Sequence, residues 1–182
     1  DVLEKDGNLF VKNKQIKGDL VFDSRPPKTP SNILLQHFEG FVVTSKKNVF
    51  DENIVILMDF RCDQSRGMHF IYLLPFSKRK ALVESTMFSK KVENKAFYSA
   101  EIAKYLKKYF NLVEFTKSDH EKGIIPMHYI SCASKEILNI GTRGGAIRPS
   151  SGYAFTFIQK QAFQIISQLK KNRKKINTQI HN

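Results

Sequence analysis

The sequence predicts a mixed α/β chain, α+β-like in arrangement, and three observations predict it. Residues 33–88 alternate apolar and polar side chains in short runs rich in β-branched and aromatic residues, the pattern of antiparallel strands. Residues 93–110 change to a helical period. Residues 137–169 read as a strand, a glycine-rich turn and an amphipathic helix.

The segment 2–24 reads as short strands. Asp6-Gly7-Asn8 is a turn signal between Val2-Leu3 and Leu9-Phe10-Val11. Leu20-Val21-Phe22 is a buried-strand run, and Pro26-Pro27 stops whatever precedes it. Asp23, Ser24 and Arg25 therefore sit at a strand's end, a common ligand-facing position in α/β sheets. Further strand runs lie at 34–43, 54–60, 69–75 and 80–88. Ala96, Ala100, Ala103, Leu106 and Phe110 then mark one face of a helix. Residues 112–115 are strand-like, and 137–140 form another short apolar strand. Gly141, Gly144, Gly145 and Gly152 punctuate the turn after it. In the second helix Phe155, Ile158, Ala162, Ile165, Ile166 and Leu169 share one face. The stretch 170–182 is a polar, basic tail.

Composition excludes several classes. The chain has 182 residues, 41% hydrophobic and 26% charged, which is globular rather than disordered. No apolar run reaches the 18 or so residues of a membrane-spanning helix. Cys62 and Cys132 form neither a disulfide framework nor a Cys-x-x-Cys pair, and His37, His69, His120, His128 and His181 lack metal-ligand spacing. The polar start carries no signal-peptide pattern, and the missing initiator Met implies that Asp1 need not be a natural start. The net charge is +13. Nucleic acid, an anionic membrane and a large anionic ligand would each explain it, as would the Lys-, Asn-, Ile- and Phe-rich output of an AT-rich genome. The cations are spread along the chain and no nucleic-acid-binding signature is present, which argues against nucleic acid.

Two features point to chemistry. The glycine turn lets backbone approach a ligand closely, and Pro149 and Ser150 precede a helix whose N-terminal N–H groups favour an anion or electron-rich ring. The same residues also suit a plain connection and helix cap. Glu84 lies mid-strand, in phase with Leu82, Thr86 and Phe88. If that face is inward, desolvation raises its pKa and keeps a proton available near neutral pH. If the face is outward, Glu84 is an ordinary solvated carboxylate. Asp59, which ends an apolar run, is a further candidate, with a turn or edge position as its plain alternative.

Seven pieces of the chain, in order, resemble the FAD-dependent lycopene cyclases, the lycopene β-cyclase family. They are Val21-Phe22-Asp23-Ser24-Arg25; Leu35-Gln36-His37-Phe38-Glu39-Gly40; Leu57-Met58-Asp59-Phe60-Arg61 with Gln64; Phe70-Ile71-Tyr72-Leu73-Leu74-Pro75; Ala81-Leu82-Val83-Glu84-Ser85-Thr86; Glu121-Lys122-Gly123-Ile124-Ile125-Pro126-Met127; and Ile140-Gly141-Thr142-Arg143-Gly144-Gly145 with Pro149-Ser150-Ser151-Gly152-Tyr153.

The resemblance implies a Rossmann-like FAD-binding domain interleaved with an antiparallel substrate-binding sheet, similar to aromatic hydroxylases and geranylgeranyl reductases. By that likeness 1–32 and 117–169 are parts of the FAD-binding domain, and 33–116 are the substrate-binding sheet plus helix. Asp23, Ser24, Arg25, Gly141, Gly144, Gly145, Pro149, Ser150 and Gly152 would bind the cofactor. Glu84 would be the catalytic acid, and Asp59, Phe70 and Tyr72 would line the substrate cavity. The implied reaction is proton-initiated cyclisation of lycopene end groups to β-ionone rings without net redox change. It needs reduced FAD, with NAD(P)H as reductant. The implied location is bacterial and cytoplasmic, peripheral at a membrane surface, with no nucleic-acid partner.

The sequence departs from the family pattern in places. The family's Gly-x-Gly-x-x-Gly fingerprint is absent, so the chain is expected to be an internal or C-terminal piece of an enzyme about twice its length. Ser85 stands where many members have a second acid, His128 where Thr is frequent, and Ser151 replaces Thr. The competing expectations are a flavoprotein of redox class, a hydroxylase or reductase with no need of Glu84, and a non-catalytic basic binding module.

Overall fold

A computed structural model describes residues 2–6, 8–128, 137–171 and 175–179. Cys132, His181, Gly7, Arg173 and Lys174 lie outside the described residues. The chain divides into two compact units, Asn32–Pro126 and the pair of segments Asp1–Ser31 with Met127–Asn182.

In the second unit, β1 (Val2–Lys5), β2 (Asn8–Val11) and β3 (Lys14–Gln15) form a small antiparallel sheet. Then β4 (Val21–Asp23) pairs in parallel with a strand much later in the chain. The unit Asn32–Pro126 holds a five-stranded antiparallel sheet. Its strands are β5 (Leu35–Thr44), β6 (Ile56–Asp59), β7 (Met68–Ser77), β8 (Lys80–Ser89) and β9 (Thr116–Pro126), in the order β6-β7-β8-β5-β9. Strands β7 and β8 form a hairpin, and β5 lies between β8 and β9.

One face of this sheet is covered by α1 (Lys95–Phe110). Asn94 caps its start by accepting from Phe97 N–H at 3.0 Å, and Asn111, left-handed at φ 49°, ends it. Alternation decides the faces. Phe41 and Val43 of β5, Ile71 and Leu73 of β7, and Ala81 and Val83 of β8 meet Ile102, Tyr105 and Leu106 of α1 in one core. The opposite face carries Phe38, Gly40 and Val42, then Leu82, Glu84 and Thr86, then Phe70 and Tyr72.

Three sequence expectations need correcting here. The alanine stripe of the first helix is not its buried face. Ala96 and Ala100 are exposed, and Tyr98, Ile102, Tyr105 and Leu106 are buried, because the aromatic side chains offer far more apolar area to the sheet. Residues 112–115 are not strand. Residues 117–126, assigned from sequence to the FAD-binding domain, belong to β9 and pair with β5 along nearly its whole length. This strand is polar and mostly exposed, as an edge strand can be, so no apolar alternation marks it.

In the other unit, β10 (Ile137–Asn139) is the parallel partner of β4. Next come a tight 3-10 turn at Gly141–Gly144 and α2 (Phe155–Lys170). Both β4 and β10 end at this turn, where Ile140 N–H donates to the Asp23 carbonyl at 2.9 Å. The helix α2 lies with its glutamines inward. Gln161 and Gln168 are buried, whereas Phe155, Ile158, Ala162, Ile166 and Leu169 are exposed. The apolar stripe read from the sequence is therefore not this unit's core. Gln161, Gln164 and Gln168 donate to the carbonyls of residues 177–179, so backbone polar groups fill the face that apolar contacts would otherwise take. Among the described residues, no helix is long and apolar enough to cross a membrane.

Candidate active site

Glu84 sits at the middle of β8 on the sheet face away from α1. Its cross-strand neighbours form a row. Tyr72 of β7 is opposite it on one side and Gly40 of β5 on the other, and Gly40 is in turn opposite Glu121 of β9. The row thus reads Tyr72, Glu84, Gly40, Glu121. Gly40 has no side chain to separate the two acids. A Cβ there would lie 3.1 Å from Glu84 Cβ and 3.3 Å from Glu121 Oε1.

Around this row the sheet is apolar and aromatic. Phe70 is buried, and its ring meets Tyr72 edge-on at 5.2 Å and Phe60 at 5.3 Å. Phe38, next along β5, lies over Gly123, where a Cβ would come within 2.5 Å of its ring. Thr86, fully buried, donates its hydroxyl to Glu84 Oε1 at 2.6 Å. Burial pushes the Glu84 carboxyl up to about 7, and the Glu121 carboxyl beside it adds to the rise against the Thr86 hydrogen bond. Tyr72 is also raised, by burial first and then by the Glu84 charge. The arrangement keeps a share of the Glu84 carboxyl in its acid form at neutral pH, beside an aromatic wall.

The other sequence candidates separate. Asp59 does not join Phe70 and Tyr72. It lies on the α1 side of the sheet, accepts from Arg61 N–H, Nε and Nη2, and takes the Tyr105 hydroxyl at 2.5 Å. The Arg61 hydrogen bonds hold its carboxyl well below the usual carboxylate range despite burial. Asp59 is a bracket between the end of β6 and α1. Ser85 likewise points beneath the helix, where it meets His69 Nε2 at 2.8 Å. An acid at that position would be on the opposite face from Glu84.

In the other unit, Asp23 is buried at the end of β4. It accepts from Arg25 N–H at 3.0 Å, Arg25 Nε at 2.9 Å and Arg25 Nη2 at 2.7 Å, and pairs with Arg143 Nε at 2.9 Å. The Arg25 hydrogen bonds hold its carboxyl low. Asp23 therefore organises two arginines at the strand ends.

Gly141, Gly145 and Gly152 are left-handed at φ 61°, 75° and 71°. Gly144 is needed for a different reason, since a Cβ would fall 2.3 Å from the Asn139 carbonyl oxygen. Gln161 on α2 secures the turn by accepting from Gly141 N–H at 2.7 Å. Pro149 and Ser150 lie in the turn before Gly152, where Gly152 N–H donates to the Arg148 carbonyl at 2.9 Å. The helix α2 starts with no side-chain cap on Ala154 and no acid in its first turn, so no side-chain charge of that turn offsets the positive end of its dipole. These features fit an anionic or electron-rich ring, the chemistry of a flavin's pyrimidine edge. A Cβ at Gly141 would meet no atom within 4 Å, so the turn leaves room there.

Sequence reasoning assigned no role to Glu121, Gly40 or Thr86. Thr86 was within reach, two residues from Glu84 on the same strand face. Glu121 was not, because only the pairing of β9 with β5 brings it there.

Among solved structures the chain is similar in fold to three. One is a geranylgeranyl bacteriochlorophyll reductase-like protein from Thermoplasma acidophilum, with a TM-score of 0.58 and 11% identity over 97% of this chain and 50% of that one. A second is tetracycline destructase Tet(51), with a TM-score of 0.52 and 13% identity over 94% of this chain and 52% of that one. A third is the flavin-dependent brominase Bmp2, with a TM-score of 0.51 and 11% identity over 95% of this chain and 50% of that one. At these identities the likeness is one of fold. The chain spans about half the length of each. No curated protein matches the sequence. The family described as lycopene cyclase protein matches residues 5–181, and the chain belongs to that family.

Proposed function

We propose that this chain is part of an FAD-dependent lycopene cyclase in which Glu84 is the acid. Lycopene offers only carbon–carbon double bonds, so cyclisation must begin with a proton delivered to an end-group C=C. The observation that carries the reading is Glu84 itself, a carboxyl raised to about 7 beside Tyr72 and Phe70. About half of such an acid is protonated at pH 7, where a solvated glutamate is almost wholly ionised. Protonation leaves a tertiary cation, the terminal double bonds close to a ring, and loss of a neighbouring proton gives the β-ionone ring. Atoms and electrons balance without oxidation or reduction. The faces of Phe70 and Tyr72 suit both an apolar polyene and a passing cation.

In this reading Gly141, Gly144, Gly145, Pro149, Ser150 and Gly152, with the start of α2, would hold the flavin ring. Asp23 would act through Arg25, and Ser24 would line the same site. Bound reduced FAD would supply negative charge facing the cation, kept reduced by NAD(P)H, with no net redox change in the substrate. The substrate is lipid-soluble and the chain carries +13, so the enzyme would work peripherally at an anionic membrane surface.

The test is expression of the complete gene in a lycopene-accumulating bacterium. γ- or β-Carotene is expected from the native gene, and unchanged lycopene from Glu84→Gln. Persistence of lycopene with the native gene sinks the reading, and normal cyclisation by Glu84→Gln sinks the assignment of the acid.

A further inference from the structure

We infer that Glu121 is a positioning residue that holds the acid proton on Glu84 by accepting its hydrogen bond across the gap left by Gly40. The inference rests on the reading of Glu84 as the acid and extends it. Three observations carry it. Gly40 pairs with Glu84 on one side and Glu121 on the other, so the two carboxyls occupy one cross-strand row. The position that a Gly40 side chain would occupy lies 3.1 Å from Glu84 Cβ and 3.3 Å from Glu121 Oε1, so the absent side chain is what lets them approach. The pairing of β5 with β9 is irregular between Gly40 and Val42, immediately beside the row, and such a bulge re-aims the side chains next to it.

The titratable groups that bear on Glu84 are Glu121 from β9 and Tyr72 from β7, while β5 contributes only glycine to the row. Thr86 donates to one Glu84 oxygen and so favours the carboxylate. Glu121 can accept from Glu84 only while Glu84 is in its acid form, and that hydrogen bond favours the protonated acid. The pair has a use in a redox-neutral cyclisation. When Glu84 gives its proton to the alkene carbon, the row is left with two carboxylates facing each other. Their repulsion favours recapture of the proton that the ring carbon releases, and the acid is restored. One proton leaves the pair and one returns, so the cycle closes without a co-reactant.

The test is a titration of the intact chain followed by the carboxyl carbons of its glutamates in 13C NMR, with Glu84 and Glu121 assigned through Glu84→Gln and Glu121→Gln. In the wild-type chain the Glu84 carbon is expected to titrate well above an ordinary glutamate. An ordinary Glu84 midpoint overturns the inference. In Glu121→Gln the Glu84 midpoint is expected to fall by about one unit, whereas Glu121→Asp keeps it raised. An unchanged midpoint in Glu121→Gln overturns the inference. Cyclisation is scored separately. If the Glu84 midpoint falls in Glu121→Gln but lycopene persists with the native gene, the pair stands and the proposed reaction fails. If the native gene cyclises while Glu121→Gln leaves the Glu84 midpoint unchanged, the reaction stands and the pair fails. In an active enzyme, Glu121→Gln is expected to move the alkaline limb of the rate profile to lower pH, which a merely structural loss would not do.

Discussion

At the scale of single residues, the sheet uses its two faces for different purposes, and carboxylates show it best. Glu84 is raised towards its acid form and Asp59 is kept ionised, although both lie on one sheet. The difference is the partner. Asp59 meets a guanidinium and a phenol, while Glu84 meets a hydroxyl and a second acid. Tyr105→Phe is expected to cost about 1–2 kcal/mol, because a buried donor to a charged acceptor is lost. Denaturant unfolding of that variant checks it, with carotene formation unchanged. Truncating Arg61 should cost less, since its side chain is 64% exposed and solvent screens the pair. The phase of Glu84 with Leu82 and Thr86 placed it on one strand face, but whether that face was inward or outward stayed open in the sequence. Glu121 was unreadable, because 36 residues, α1 among them, separate it from Glu84. Asp59 was legible as special but not as a bracket, since Tyr105 reaches it from α1.

At the scale of elements, legibility tracked how much apolar pattern an element must carry. Strands β5, β7 and β8 announce themselves because both faces are substantially buried. Edge strand β9 is solvated along most of its length and shows no such pattern, so its pairing partner could not be read. Helix α2 misled for the opposite reason. Its apolar stripe has the right period, but the described contacts are made by glutamines. This puts the geometry of the glycine turn under the control of one helical side chain. Gln161→Leu removes the acceptor for Gly141 N–H and the donor to the Thr178 carbonyl. It is expected to destabilise that unit by about 1–3 kcal/mol, the cost of leaving buried polar groups unpaired. Hydrogen exchange at Gly141 should quicken, while α1 and the five-stranded sheet stay protected. Gly144→Ala should be worse than Gly145→Ala, because the former drives a Cβ into the Asn139 carbonyl and the latter only strains a left-handed turn.

At the scale of the whole molecule, the two units carry different titrating groups and so answer acid differently. His37 and His69 are fully buried in the five-stranded unit, and burial lowers both below the ordinary 6.5. Burial holds each neutral, His37 beside Tyr98 and Ser89 and His69 beside Ser85, while the Asp63 carbonyl pulls His69 the other way. The unfolded chain takes up these protons first, so stability falls as pH drops below 6.5. Glu84 opposes them. Its folded value of about 7 lies above the ordinary 4.5, so its contribution is full below 4.5 and is lost as pH rises towards 7. In the other unit Asp23 is lowered by Arg25 from 3.8, so its contribution is lost only on acidification below that value. Between pH 7 and 5 the sheet unit should therefore respond while the β4–β10 unit holds. Glu84→Gln removes the opposing term, with two effects. The variant should be more stable than wild type at pH 8, on the order of 2 kcal/mol where a buried charge is avoided. Its sheet should also lose stability more steeply between pH 6.5 and 5. Amide exchange in β5 and α1, compared with β4 and β10 across that range, reads both effects. Parallel loss of protection in the two units would show that these histidines do not govern the acid response.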